Sequence, residues 1–253
     1  MDINLKGKVT LVTGGSGQLG RVICRTLADC GADVIIHYHK NEMQAIRLQD
    51  ELRVKGVRSM IFQADITNQA SIQQMKAAVE SLMGAPDIIV NNAVAQYSWT
   101  NVLQQNPVDY ESQFRSCVLH NVLMAQAFVP TMIQKRWGRV IAINTECAMQ
   151  NFPNQSAYVS GKRGMDGVLR VLAKEIGEHQ ITVNQVAPGW MISENSPDGD
   201  GEDELRYKAN VPLKRRGYDQ DVANLVVFLA SDLANFISGQ YISVSGGNVM
   251  PAI

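Results

Sequence analysis

Tyr158 and Lys162 stand four residues apart at the start of a predicted helix, which places them on one face with the lysine a turn further on. A phenol, whose ordinary pKa is about 10, is a poor acid or base at neutral pH unless a nearby cation favours its ionised form. Lys162 is such a cation, so the pair can move a proton. Taken alone, the spacing occurs by chance in many chains, and a solvated helix face explains it as well. A second chemical signal is Thr13-Gly14-Gly15-Ser16-Gly17-Gln18-Leu19-Gly20. Glycines let the backbone turn sharply and approach a pyrophosphate, and a helix opening at this point offers free amides and the positive end of its dipole. Gly15, Gly17 and Gly20 fit the GxGxxG spacing of dinucleotide sites.

These groups need elements to hold them. Apolar runs suited to buried strands lie at 9–13, 34–38, 59–63, 87–90, 139–143, 182–186 and 240–244. Segments of helical period lie between most of them, at 21–30, 45–55, 72–83 and 168–177. Such alternation predicts an α/β, doubly wound Rossmann fold, with a parallel sheet covered by helices on both faces. No linker or repeat divides the chain, so residues 1–253 are expected to form a single domain. The glycine turn then falls between the first strand and first helix, where dinucleotide folds bind phosphate. The segment from Ser193 to Lys208 differs in character: its acidic residues sit among Gly and Pro, and it reads as a solvated, mobile excursion.

In such folds an acidic residue ends the second strand and binds the adenosine ribose of NAD. Here that strand ends His37-Tyr38-His39-Lys40. An acid would repel a 2′-phosphate, whereas Lys40, and His39 if protonated, can hold one, so NADP(H) is the expected cofactor, with NAD(H) still possible. His37 and His39 alternate along a strand without a third ligand nearby, so no metal site is expected. Asp65-Ile66, at the third strand end, can meet the adenine edge, or Asp65 can cap a turn.

Composition excludes other classes. The 253 residues are 45% hydrophobic and 19% charged, with Lys+Arg 23 against Asp+Glu 24, and no stretch concentrates basic residues as a nucleic-acid surface does. The start lacks an apolar signal region and the apolar runs are too short to span a bilayer, so no membrane association and a cytoplasmic location are expected. Cys24, Cys30, Cys117 and Cys147 show no CxxC spacing and read as reduced thiols.

The glycine turn, Asn91-Asn92-Ala93 after the fourth strand, Tyr158-x-x-x-Lys162 and Pro188-Gly189 after the sixth together resemble the short-chain dehydrogenase/reductase family, in its compact single-domain branch. The likeness covers essentially the whole chain. Its end, from Val211-Pro212-Leu213-Lys214-Arg215-Arg216-Gly217 to Ser238-Gly239-Gln240, is similar to bacterial members that include 3-oxoacyl-thioester reductases. The resemblance implies a seven-stranded sheet that binds NAD(P)(H), with hydride passing between nicotinamide and a carbonyl or alcohol carbon. It assigns Tyr158 as proton donor, with Lys162 lowering its pKa and holding the nicotinamide ribose. Thr145, thirteen residues before Tyr158, stands where the family has a Ser that binds the substrate oxygen. Gly14, Ser16, Gly17, Gln18, Leu19 and Gly20 would meet the phosphates, with Tyr38, His39, Lys40, Asp65 and Ile66 on the adenosine side. Asn92, Ala93, Val94, Pro188, Gly189, Met191 and Ser193 would border the nicotinamide half.

Some positions depart from the family pattern. Gln18 replaces a Gly, so its Cβ either crowds the pyrophosphate or points away. Val94 replaces the Gly of NNAG and would be strained if that position needed a positive φ. Cys117 stands where an Asn supports a water-linked proton path; its backbone carbonyl can preserve that path, while Asn121, one turn on, could substitute only through a shifted helix register. Glu146 and Cys147 follow Thr145 and either line the substrate pocket or, for Glu146, face solvent. Gly161, Gly164 and Gly167 each cost roughly 1 kcal/mol in an exposed helix, which implies close packing. The family pairs this helix between subunits, so a homodimer or homotetramer is expected.

The leading expectation is an NADP(H)-preferring reductase of a small-molecule carbonyl or alcohol, with residues 193–212 as a lid and Trp190, Met191, Phe152, Tyr97 and Trp99 as an apolar wall. The departures at Gln18, Val94 and Cys117 motivate the rival, a catalytically weakened nucleotide-binding sensor or assembly partner.

Overall fold

The computed structural model describes residues 2–250. β1 (Val9–Val12), β4 (Ile88–Asn91) and β5 (Gly138–Ile143) are buried along their whole length, since helices cover both faces of the sheet they enter. With β2 (Asp33–Tyr38), β3 (Ser59–Gln63), β6 (Ile181–Pro188) and β9 (Tyr241–Val244) they form seven strands in the order β3-β2-β1-β4-β5-β6-β9. Every neighbouring pair is parallel. The order reverses between β1 and β4, so their carboxyl ends open a crevice, the usual ligand position of such sheets.

One face is covered by α1 (Gln18–Asp29), α2 (Glu42–Val54) and α9 (Asp219–Ala230), the other by α3 (Gln69–Leu82), α5 (His120–Lys135) and α7 (Ser156–Ile176). α2 and α3 begin a turn before their apolar period does. Their first turns carry caps instead: the Asn41 side chain accepts from Gln44 N and Asn68 from Ser71 N.

α4 (Pro107–Gln113) runs into α5 through a π-helical turn, Phe114–Leu119. The whole stretch Pro107–Lys135 is long and apolar enough by composition to cross a membrane, longer than the sequence expectation allowed. Here its apolar side packs inward through Met124, Phe128 and Met132. A short α6 (Cys147–Gln150) separates β5 from α7. After β6 come β7 (Met191–Ile192), α8 (Glu202–Asn210) and β8 (Gly217–Tyr218), with β7 and β8 paired apart from the main sheet.

A Cβ on Gly161 would lie 2.9 Å from the Gln113 carbonyl, and one on Gly164 2.9 Å from Val118 Cγ2. Those two glycines therefore let α7 close on α4 and the π turn within the chain. Of the three glycines at 161, 164 and 167, Gly167 alone faces open space.

Candidate active site

The crevice begins with the glycine turn. Thr13 Oγ1 accepts from the amides of Asn92 and Ala93, and Asn92 Nδ2 donates to the carbonyls of Thr13 and Gly14, which ties the ends of β1 and β4 together. Gly14 adopts φ +63°, and a Cβ on Gly20 would sit 2.1 Å from its carbonyl oxygen, so α1 approaches the turn as only glycine allows. α1 starts on Gly17 without a side-chain cap, leaving its first amides for a ligand. Around this turn lies a cavity of 730 Å³ lined also by His39, Lys40, Asp65, Ile66, Asn92 and Val94. Its volume and its uncapped amides fit a dinucleotide.

The departures are accommodated. Gln18 reaches away from the turn, donating through Nε2 to Asp219 Oδ2 at 2.7 Å, while its Oε1 accepts from Asn195 N at 3.4 Å. Val94 does not have a positive φ. Among the adenosine-side residues, Tyr38 is buried and its hydroxyl donates to Glu42, so it does not line the cavity. Asp65 does line it, yet its carboxylate also accepts from Thr67 N and Oγ1, both at 2.8 Å, as a turn cap. Ser16 is buried, and its carbonyl accepts from Arg21.

A second cavity, of 780 Å³, shares Ala95 and Gln96 with the first. Thr145, Tyr158 and Gly189 line it, brought there from the end of β5, the first turn of α7 and the end of β6. The amide of Tyr158, an orphan donor of that first turn, is capped by the Tyr97 hydroxyl at 2.8 Å, and Trp99 stacks on its ring with centroids 5.9 Å apart. Lys162 is buried, donates through Nζ to the Ile143 carbonyl at 2.5 Å and lies 5.7 Å from the Tyr158 ring centre. Burial chiefly pushes the Tyr158 phenol above its ordinary range and the neighbouring thiols add to this, while a hydrogen bond from Thr145 pulls it down. Burial pushes Lys162 down. The resting phenol is therefore protonated, as a proton donor to a carbonyl must be.

Cys117 is buried in the π turn, and its carbonyl accepts from Asn121 Nδ2 at 2.7 Å; Asn121 Oδ1 in turn accepts from Asn91 Nδ2. Asn121 thus stands one turn after Cys117 and links its carbonyl to β4 through Asn91, just beyond the π turn that ends at Leu119. Tyr97, Trp99, Phe152 and Trp190 form the apolar wall, but Met191 does not line the cavity: it pairs with Gly217 between β7 and β8. Pro188 ends β6 with its carbonyl accepting from Glu146 N, and Ser193 pairs with Ser196, lining neither cavity.

Two side chains of the site, Tyr207 and Arg216, escape sequence reasoning as to their role, whereas Glu146 lines the second cavity, one of the two alternatives its place after Thr145 offers. Glu146 is 3% exposed and faces not solvent but Tyr207, whose hydroxyl donates to Oε1 at 2.9 Å, and Asn248, which donates to Oε2 at 3.0 Å. Tyr207 also accepts from Trp190 N at 2.8 Å. Arg216 is fully buried, its guanidinium donating to Glu204 and to the carbonyls of Met191, Ser196 and Pro197, with Trp190 stacked 4.4 Å away. The segment read as a mobile excursion is thus pinned at both ends of α8. Arg216 stands in the 211–217 stretch that carries part of the family resemblance, as His37 stands in the strand end, but neither spacing states the partners it takes.

Compared with known proteins, the chain matches over residues 16–248 the family described as Enoyl-(Acyl carrier protein) reductase. It is 34% identical to a 3-oxoacyl-(acyl-carrier-protein) reductase of Staphylococcus epidermidis, over 96% of this chain and 99% of that protein. It is also 34% identical to the protein of that name from Escherichia coli, over 98% and 100%. A solved double mutant of a Serratia marcescens short-chain dehydrogenase/reductase matches with a TM-score of 0.90 at 30% identity, covering 96% of this chain and 98% of that one. A 7α-hydroxysteroid dehydrogenase solved with NADH and 7-oxo glycochenodeoxycholic acid matches with a TM-score of 0.91 at 28% identity, covering 98% and 96%.

Proposed function

The chain belongs to the short-chain dehydrogenase/reductase family, oxidoreductases that pass hydride between nicotinamide and a carbonyl or secondary alcohol, and from that premise we propose an NADP(H)-preferring carbonyl reductase with Tyr158 as its general acid. The observation that carries this reading is the convergence of Thr145 and Tyr158 on one cavity that adjoins the glycine-turn cleft. Bound NADPH supplies the hydride. Thr145 holds the substrate oxygen, Tyr158 delivers the proton to it, and Lys162 stabilises the phenolate that remains and holds the nicotinamide ribose. The uncapped amides of α1 and the glycine turn hold the pyrophosphate, Asn92 and Ala93 the nicotinamide half, and Ile66 and Asp65 the adenine edge.

Preference for the phosphorylated nucleotide rests on exposed Lys40 and His39 and on the lack of an acid at the end of β2. The aromatic wall suits the body of an apolar ketone or of a 3-oxoacyl thioester, the substrate named for the curated relatives. Residues 193–212 form its lid. Gly167, with half-exposed Val171 beside it, leaves an open face on α7 for a second copy of the chain. Reduced thiols and the bacterial relatives support a cytoplasmic location. The sensor reading loses its motivation where Gln18 and Val94 sit without strain.

Tyr158→Phe tests the assignment. Turnover of any carbonyl substrate should fall by roughly 10²- to 10⁴-fold, while calorimetric binding of NADPH stays near the parental value. Near-parental turnover would overturn it.

A further inference from the structure

We infer that His37 is a positioning residue of the nucleotide site, holding two successive amides of the glycine turn in the orientation that phosphate binding needs. The inference rests on reading that turn as the nucleotide site. His37 is the penultimate residue of β2, is 1% exposed and borders the 730 Å³ cleft. Its backbone carbonyl accepts from Gly15 N at 2.8 Å, and its ring Nδ1 accepts from Gly14 N at 2.9 Å. Nε2 contacts the Ala64 carbonyl at 3.0 Å, beyond the end of β3. A carbonyl only accepts and an amide only donates, so the ring must carry its proton on Nε2 and be neutral. With both ring nitrogens engaged, it is unavailable to a metal or a phosphate, unlike its exposed neighbour His39.

The consequence follows from what lies on the other side of Gly14. Its carbonyl accepts from Gly17 N at 2.9 Å and from Asn92 Nδ2 at 3.2 Å, and it lies within contact of Gly20, where a Cβ would be 2.1 Å away. Rotation of the Gly14–Gly15 peptide would break one of these contacts or drive oxygen into α1, and the Thr13–Gly14 peptide is held on its carbonyl side by Asn92 Nδ2. His37 holds the amide side of that peptide: without an acceptor there, Gly14 N–H is left unpaired in a half-buried setting or turns toward the cleft. A side chain whose ring nitrogens are both engaged by the protein thus sets the shape of the nucleotide's cradle.

Two isosteres separate this role from mere filling of space. His37→Asn puts an amide oxygen where Nδ1 is and keeps the acceptor for Gly14. His37→Gln reaches the place of Nε2, keeps the donor to Ala64 and loses that acceptor. Dissociation constants for NADPH and NADH by calorimetry, with thermal midpoints measured alongside, provide the readout. The expected result is binding about tenfold weaker in His37→Gln and in His37→Leu for both nucleotides, with His37→Asn rescuing most of the loss. In the steady state, KM for nucleotide should rise in His37→Gln while kcat at saturation changes about twofold or less. Equal weakening in Asn and Gln variants, in step with their thermal midpoints, would overturn the inference, as would full binding in His37→Leu. A parental protein that binds neither nucleotide would overturn the reading of the turn itself and this inference with it.

Discussion

Tyr207→Phe removes one oxygen from the proposed lid, and the structure sets how much that oxygen holds. In the parent its hydroxyl donates to the buried Glu146 carboxylate at 2.9 Å and accepts from Trp190 N at 2.8 Å, joining α8 both to the residue after Thr145 and to the end of β6. A hydrogen bond to a charged group contributes about 1.5–3 kcal/mol and the neutral one about 1 kcal/mol. The variant should therefore release roughly 3 kcal/mol of the hold on α8, raising its detached population by about 100-fold. Detachment stays local, because Arg216 still ties Glu204, at the start of the helix, to the loop before it. Hydrogen exchange should quicken at amides 205–210 and little elsewhere. KM for the carbonyl substrate should rise while the dissociation constant for NADPH holds, since the glycine-turn cleft touches neither Tyr207 nor Glu146. Burial pushes the Glu146 carboxyl up in pKa and its donors Asn248, Tyr207 and Trp190 pull it down, so losing Tyr207 should push it further up. Unchanged exchange in α8 with unchanged substrate KM would refute the latch, as would a rise confined to KM for nucleotide.

Charge reversal at Lys40→Glu should lower NADPH affinity by roughly tenfold, about 1.4 kcal/mol, and leave NADH almost untouched; an unchanged ratio of the two constants would place the 2′-phosphate elsewhere. Acid should destabilise the fold through two buried histidines. Burial lowers His37 from 6.5 to about 4 and His120 to about 3. The unfolded chain takes up protons below its ordinary value while the folded chain does not, so the contribution is complete above pH 6.5. It is lost as pH falls toward 4, at about 1.4 kcal/mol per pH unit for each histidine. Denaturant melts at pH 7, 6 and 5 should show that slope, halved in His120→Leu, whose parental Nε2 has no hydrogen-bond partner; a stability flat from pH 7 to 5 would refute it.

The strands, the glycine turn and the Tyr158/Lys162 pair are legible in the sequence because each depends on residues close together in the chain: apolar runs of one length, glycines spaced for one turn, two side chains one helical turn apart. Even there, α2 and α3 begin earlier than their apolar period, since Asn41 and Asn68 cap them with local hydrogen bonds that hydrophobic spacing does not record. The sequence alone therefore determined the doubly wound sheet, the nucleotide turn and the reacting pair. Tertiary structure decided the rest, at contacts whose partners lie far apart in the chain. Glu146 reads equally well as solvated or buried until Tyr207 and Asn248 arrive from the lid and the C-terminal segment. Arg216 looks like one more surface cation until the chain folds five acceptors around it. Asn121 ties the Cys117 carbonyl to β4 through Asn91, and His37 acquires its tautomer from Gly14 and Ala64, just past the ends of the neighbouring strands. A buried polar group must find its partners wherever the fold brings them, and no spacing along the chain states where that will be.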